Sequence, residues 1–253
     1  MRHLTAAFIF FTRLPLWKWK IFYTPPDSFR EVIHYWALTG WLTAGVMSGT
    51  LWLSAYLFPY PVAVLLALLS RLLLTGALHE DGLADFLDGF GGGRDKEKIL
   101  AIMKDSHIGT YGVIGLIFYF LLLYLLLVSL PLPTACIMIL IADPLCKWIA
   151  SQIVRFLPYA RTAEASKAKI VYSKGAAASF ILSGMFGLLP LLLLPGTPYL
   201  PAVFLPLVTF FCLIHRMKTG IGGYTGDCCG ALFLLCELSF YTGIAICFKL
   251  LGL

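Results

Sequence analysis

Seven long apolar runs dominate the chain, covering roughly residues 34–57, 62–80, 110–130, 134–157, 176–195, 200–215 and 230–252. The hydrocarbon core of a bilayer takes ~20 apolar residues as a helix. No water is available inside it, so every backbone N–H and C=O must be satisfied within the segment, which leaves helices for runs of this length. The expected fold is therefore an all-α, polytopic transmembrane bundle of about seven spans, folded as one membrane domain over residues 1–253. The run 200–215 is the weakest, being short and carrying Pro201 and Pro206. Composition closes the alternative. Apolar residues make up 60% of the chain and charged ones 13%, with a mean hydropathy of +0.87, whereas a soluble domain carries ~25% charged residues. So few charges cannot cover a water-facing surface, and the same numbers exclude disorder.

The basic residues orient the bundle. Arg2, Arg13, Lys18, Lys20 and Arg30 precede the first run; Arg94, Lys96, Lys98 and Lys104 lie between the second and third. Arg155, Arg161, Lys167, Lys169 and Lys174 surround the connection after the fourth, and Arg216 and Lys218 precede the last. The proline-marked turns at Pro59–Pro61, Pro131–Pro133 and Pro195–Pro198 contain no Lys or Arg. Sixteen of the nineteen basic residues thus share one face, which the positive-inside rule assigns to the cytoplasm. This places the N-terminus and the 1–33 segment inside, the C-terminus outside, and 80–109, 157–175 and 215–229 as cytoplasmic loops. The net charge of +6 is then a membrane-orientation signal and not a nucleic-acid footprint. Met1–Phe11 is too short and wrongly flanked for a cleaved signal peptide. The seven cysteines form no CxxC pair and read as small hydrophobes.

Three basic residues fall outside this pattern. Lys249 sits near a helix end and can snorkel. Arg71 and Lys147 lie deeper, where ionisable groups are costly and are paired or functional. Asp143 stands one turn before Lys147, so an internal ion pair is favoured over a substrate contact. Arg71 has no partner in its own run and either pairs with Glu237 or Asp143 across the bundle or faces a phosphate.

Seven of the thirteen acids lie between Glu80 and Asp105. If the second run continues as helix through residue 88, about 40 Å in all, the ~100° turn per residue brings Asp81, Asp85 and Asp88 within an arc of ~60°, with Glu80 off the stripe. Like charges on adjacent turns repel, more strongly away from bulk water. The stripe is either a solvated helix end or a cation site. Acids concentrated on one face beside glycines favour the second, and oxygen-only ligands suit Mg²⁺ or another hard divalent ion. Asp95 and Glu97, mixed with Arg94, Lys96 and Lys98, read as a solvated run. Two more acids open later runs: Asp105, in Lys104-Asp105-Ser106-His107 ahead of Gly109 and Gly112, and Asp227, after Gly222-Gly223-Tyr224-Thr225-Gly226. Glycines there let backbone N–H groups approach an anion, although Asp227 taken alone can also be a helix cap. With Arg155, Arg161 and Lys174 these segments outline a diphosphate-plus-metal site at the membrane surface, where His107 is a base or a phosphate contact. His3, His34 and His215 read as structural.

The segments His79-Glu80-Asp81-Gly82-Leu83-Ala84-Asp85 through Asp88-Gly89, Ile102-Met103-Lys104-Asp105-Ser106 with Gly109, and Gly222-Gly223-Tyr224-Thr225-Gly226-Asp227 with Gly230-Ala231 resemble the cobalamin synthase (adenosylcobinamide-GDP ribazoletransferase) family. Phe11-Thr12-Arg13-Leu14-Pro15 and Pro158-Tyr159-Ala160-Arg161 also look like its motifs, in the expected order over nearly the whole chain. The resemblance implies a Mg²⁺-dependent, multi-pass enzyme of the prokaryotic plasma membrane with its active site facing the cytoplasm. Such an enzyme moves the cobinamide phosphate of adenosylcobinamide-GDP to α-ribazole or its 5′-phosphate and releases GMP. Three positions depart from the pattern: Glu80 replaces an apolar residue and adds a candidate ligand, Leu234 replaces an acid, and Thr162–Ser166 lacks glycines.

On this reading Asp81, Asp85 and Asp88 hold one or two Mg²⁺ on the diphosphate, with Asp105, Asp227 and Glu80 completing the shell. One acid, with Asp88 preferred, accepts the proton of the attacking hydroxyl. Lys104, His107, Arg155, Arg161, Lys174, Gly223 and Thr225 are candidate substrate contacts. Small-molecule substrates and the bilayer are the expected partners, and a homo-oligomer or a complex with neighbouring pathway enzymes is compatible with such a chain. A CDP-alcohol phosphotransferase is the nearest alternative, but its Asp-Gly followed by Ala-Arg is missing. An ion-coupled transporter would place acids near the bilayer midplane, where only Arg71, Asp143, Lys147 and Glu237 are candidates.

Overall fold

The computed structural model describes residues 2–161 and 171–252. In chain order its α-helices are α1 (Arg2–Phe11), α2 (Trp36–Ser54), α3 (Tyr60–Thr75), α4 (Leu78–Gly92), α5 (Lys96–Lys104), α6 (Thr110–Val128), α7 (Leu132–Ser151), α8 (Ile153–Phe156), α9 (Ala177–Leu188), α10 (Leu200–Ile221) and α11 (Gly226–Leu250). Among the described residues there is no strand, only one isolated parallel bridge between Tyr159 and Tyr224. The fold is all-α, and its long apolar helices mark a membrane protein.

Each of the seven apolar runs is built around a helix. Four are long and apolar enough to cross a bilayer on their own: Thr110–Val128, Leu132–Phe156, Thr197–Ile221 and Gly226–Leu250. The pair α3 and α4 would make a fifth, bent span. α2 is not among them because Thr39, Thr43, Ser48 and Thr50 dilute its apolar content. The run that is weakest in sequence is one of the four, because α10 extends to Ile221. Pro201 falls in its first turn, where no N–H is needed, and Pro206 is accommodated inside the helix.

The helices sort into inner and outer. Within the most apolar 18-residue stretch of each span, buried residues make up 78% in Leu132–Phe156 and 61% in Gly226–Leu250, but only 22% in Thr110–Val128. α7 and α11 therefore form the centre, while α6 turns Ile114, Ile117, Phe118, Leu121 and Leu125 outward. An apolar exterior of this kind is stable only against lipid.

The second run does not continue as one helix. α3 stops at Thr75 and α4 starts at Leu78, with a 90° bend between them. Gly76 adopts φ +66° and Ala77 φ +56°, the left-handed region that glycine occupies freely and alanine only at a cost of about 1–2 kcal/mol. The Arg13 amide, donating to the Leu74 carbonyl at 2.7 Å, covers the cut end of α3. The expected helix through residues 62–88 is thus corrected to two. Residues 80–109, expected as a loop, are largely helical, as α4 and α5. At the other end of the pair, α4 lies backbone to backbone on α11. A Cβ on Gly82 would stand 2.9 Å from the Asp227 carbonyl oxygen, and one on Gly230 would stand 2.9 Å from that of His79.

Candidate active site

Where α4 crosses α11, a cavity of about 280 Å³ opens. α4 contributes Leu78, His79 and Asp81, and α11 contributes Gly226, Asp227, Cys229 and Gly230. Phe10 and Phe11 of α1, Trp36 of α2, and Tyr159, Arg161 and Tyr172 from the connection between α8 and α9 complete its wall. The paired glycines bring the two acid-bearing helices to one place. Burial pushes the Tyr172 phenol up, so it stays neutral. The wall is therefore aromatic and largely uncharged, with two carboxylates and one guanidinium in it.

The carboxylates of the α4 stripe have different fates. Asp81 is exposed and lines the cavity. Asp85, one turn on, is half-buried. Asp88 is buried and turned toward α6, where its two oxygens accept the Gly109 amide at 2.7 Å and the Gly112 amide at 2.8 Å. Gly109, the N-cap of α6, has no capping side chain of its own, so Asp88 supplies the cap from α4 and places a negative charge at the helix N-terminus. Glu80 is buried on another side of α4, with Arg71 and Tyr119 as its electrostatic neighbours and no hydrogen-bond partner for Oε2.

Asp227 is not the cap of its helix. Thr225 is, its hydroxyl accepting the Cys228 amide, while Asp227 sits in the first turn and lines the cavity. Thr225 and Gly223 are buried. Gly223 is packed on the Pro158 carbonyl beside the Tyr159–Tyr224 bridge, where the Tyr224 amide donates to Pro158 and the Ala160 amide to Tyr224. This bridge holds Tyr159 and Arg161 beside the start of α11. Arg161 also donates to the Leu100 carbonyl at 2.9 Å.

The remaining candidates lie away from the cavity. Asp105 is exposed after α5 and accepts the His107 amide at 3.0 Å and its ring Nδ1 at 2.7 Å, which holds its carboxyl below the usual carboxylate range. Lys104 and His107 are exposed beside it. Arg155 stacks on Phe180, 4.4 Å from the ring centroid, and Lys174 is exposed. Residues 162–170, with Lys167 and Lys169, lie outside the described residues. Trp36 and Tyr172 line the cavity although nothing in the sequence singled them out, and His79 lines it although it opened a motif without an assigned role; the cavity wall comes from separate segments, so no spacing reveals it. The nearest signal was His79, adjoining the acid stripe.

The deep charges pair with one another. Arg71 donates to Glu237 at 2.5 Å and to the Tyr119 hydroxyl at 2.9 Å, and that hydroxyl donates to the other Glu237 oxygen at 3.2 Å. Lys147 lies 2.6 Å from Asp143 and donates to Thr43 at 2.6 Å, while Thr43 donates to Asp143 at 2.8 Å. Of the alternatives open in sequence, Arg71 takes Glu237 and Lys147 takes the internal pair.

Among the described residues no three His, Cys, Asp or Glu side chains converge into a set able to hold a metal ion. Mg²⁺ keeps several waters and is commonly held by one or two carboxylates together with substrate phosphates. Asp81 and Asp227 at one cavity provide that number.

Fold and site together define a polytopic membrane protein with an aromatic-walled cavity that carries Asp81, Asp227 and Arg161. The family described as cobalamin-5-phosphate synthase matches residues 3–245. A protein from Leptospira interrogans named adenosylcobinamide-GDP ribazoletransferase is 36% identical over 250 residues, 95% of this chain and 94% of its own. Proteins of the same name from Shewanella sp. W3-18-1 and Shewanella putrefaciens are each 37% identical over 245 residues, 95% of this chain and 92% of theirs. No solved structure matches. The chain belongs to the cobalamin-5-phosphate synthase family.

Proposed function

We propose that the chain transfers the cobinamide phosphate of adenosylcobinamide-GDP to a hydroxyl of α-ribazole or α-ribazole 5′-phosphate, yielding adenosylcobalamin or its 5′-phosphate and GMP. The observation that carries this reading is the convergence of Asp81, Asp227 and Arg161 on one aromatic-walled cavity, in a chain matched along nearly its whole length by proteins carrying that name. The acceptor oxygen forms the new bond to the cobinamide-bearing phosphorus, the P–O bond to GMP breaks, and GMP leaves with the bridging oxygen. Arg161 opposes the charge that builds on the diphosphate. A cavity carboxylate, Asp81 or Asp227, takes the hydroxyl proton. Asp88 is less suited to that step because its oxygens already hold the α6 amides.

Asp81 and Asp227, with Asp85 adjoining, would hold Mg²⁺; bound there, the ion would neutralise diphosphate charge. Glu80 and Asp105, turned elsewhere, are set aside as ligands. The sixteen basic residues on one face support a cytoplasmic site in a prokaryotic plasma membrane. The test is GMP release by purified protein given adenosylcobinamide-GDP and α-ribazole. Release should stop without acceptor, stop with EDTA and return with excess Mg²⁺. Release unaffected by EDTA would refute the metal assignment, and no release under any of these conditions would refute the activity.

A further inference from the structure

Between α1 and α2 the chain runs through Leu16-Trp17-Lys18-Trp19-Lys20-Ile21-Phe22-Tyr23. Its large apolar side chains are turned out: Trp17 is 56% exposed, Trp19 58%, Ile21 86% and Tyr23 73%. Lys18 and Lys20 alternate with them and are exposed as well. Apolar residues exposed singly are ordinary on any protein, but a run of four in one short segment marks a surface that meets something.

Two observations fix the depth of this segment. The first is where it leaves the bundle. α3 turns Leu65, Leu69 and Leu73 outward, so its lipid-facing stripe reaches its last turn. The Arg13 amide donates to the carbonyl of the next residue, Leu74, and Arg13 and Trp17 share a groove of about 160 Å³ with Thr75 and Leu78 at the bend into α4. The segment therefore departs at the level where the hydrocarbon ends. The second is its backbone, which folds as two three-residue 3₁₀ turns, Leu16–Lys18 and Lys20–Phe22. They are tied locally, by the Trp19 amide on Leu16 and the Tyr23 amide on Lys20. Turns this short leave N–H and C=O groups that need water, which hydrocarbon does not supply. Such a backbone stays out of the acyl chains, while its rings are poorly placed in bulk water. The headgroup layer meets both demands, and it is where Trp and Tyr collect.

Charge selects the lipid. Arg2, Arg13, Lys18 and Lys20 occur with no acid before Asp27, and basic residues beside a membrane surface are drawn to anionic lipids. We propose that residues 16–23 form an interfacial strap that binds anionic phospholipid headgroups, with Trp17, Trp19 and Tyr23 in the headgroup layer and Lys18 and Lys20 on lipid phosphates. The strap takes no part in the proposed transfer reaction and stands or falls without it.

The test reconstitutes the full chain in bilayers of equal parts phosphatidylcholine and phosphatidylglycerol, with one of the two lipids at a time brominated high in its acyl chains. Subtracting the fluorescence of the double variant Trp17→Phe with Trp19→Phe isolates the strap from the other tryptophans, and either single variant serves if the double one misfolds. Both brominated lipids should quench the strap. The two quenching curves should give phosphatidylglycerol a preference of about fivefold or more over phosphatidylcholine, the value of one lysine at an anionic surface. Lys18→Gln with Lys20→Gln should bring that preference close to one while lipid quenching persists. Equal quenching by the two lipids in the wild-type strap overturns the proposal, and so does a preference that survives loss of both lysines. A strap quenched by aqueous acrylamide and by neither lipid lies in water, and one quenched by none of the three is covered by protein; either result overturns it too.

Discussion

The charged groups at the centre of the bundle and those around the cavity are managed differently. In the interior, Arg71, Glu237, Tyr119, Lys147, Asp143 and Thr43 hold one another at 2.5–3.2 Å. At the cavity, Asp81, Asp227 and Arg161 stand in the wall itself. In a chain with so few charges, the interior groups form part of the scaffold, while those lining the cavity are placed where a ligand could reach them. The same contrast runs along α4, where Asp81 faces the cavity and Asp88, two turns on, caps α6.

The strongest challenge to this contrast is removal of one interior partner. Glu237→Leu leaves the Arg71 guanidinium buried without its carboxylate and should cost about 3–5 kcal/mol. Most of the folded protein should be lost in detergent, as read by thermal unfolding on a sizing column. The double change Arg71→Met with Glu237→Leu should recover much of it. A stable single variant would mean that the interior pair is not part of the scaffold.

At the cavity the expected loss is catalytic. Asp81→Asn and Asp227→Asn keep side-chain size and remove charge. Each should lower the rate of GMP release by about 10²–10³ while leaving the melting temperature within a degree or two. A fall in stability with the rate per folded molecule intact would move these acids to the scaffold side. Asp88→Ala should do the reverse, lowering stability by about 1–2 kcal/mol through loss of the α6 cap with the smaller effect on turnover. Glu80→Leu should be milder, within about 1 kcal/mol, because it removes an oxygen that already lacks a partner; activity should hold.

The smallest effect belongs to Asp105. Its carboxyl is held below the ordinary range in the folded protein by the His107 amide and ring, so the unfolded chain binds its proton first as pH falls. The stabilisation is thus present above the unfolded value of ~3.9 and lost as pH drops through the folded one. With the group exposed, denaturation of wild type and Asp105→Asn should differ only slightly at neutral pH and converge in acid.

Much of the scaffold was legible in the sequence. The helices follow from apolar runs and proline turns, and the Asp143–Lys147 pair from a spacing of one turn. Glu237 was one of two acids able to meet Arg71. The bend at Gly76–Ala77 was hidden because it sits in an apolar-to-acidic run that would also suit a straight helix, and its exposed carbonyl is covered by Arg13, more than sixty residues upstream. The stripe on α4 is visible from the ~100° turn per residue, but which of its acids meets a cavity and which meets a helix end depends on where α6 and α11 pack. The cavity was the least legible part, being assembled from α1, α2, α4, α11 and the connection after α8.

Gly82 and Gly230 set the spacing of the two acid-bearing helices by having no side chain at all. A single added methyl at either position would act as a shim, wedging Asp81 away from Asp227 while leaving both carboxylates in place on their helices. The reach of the site is thus gauged by two hydrogen atoms, and alanine at either glycine would detune the distance between the carboxylates without changing either acid.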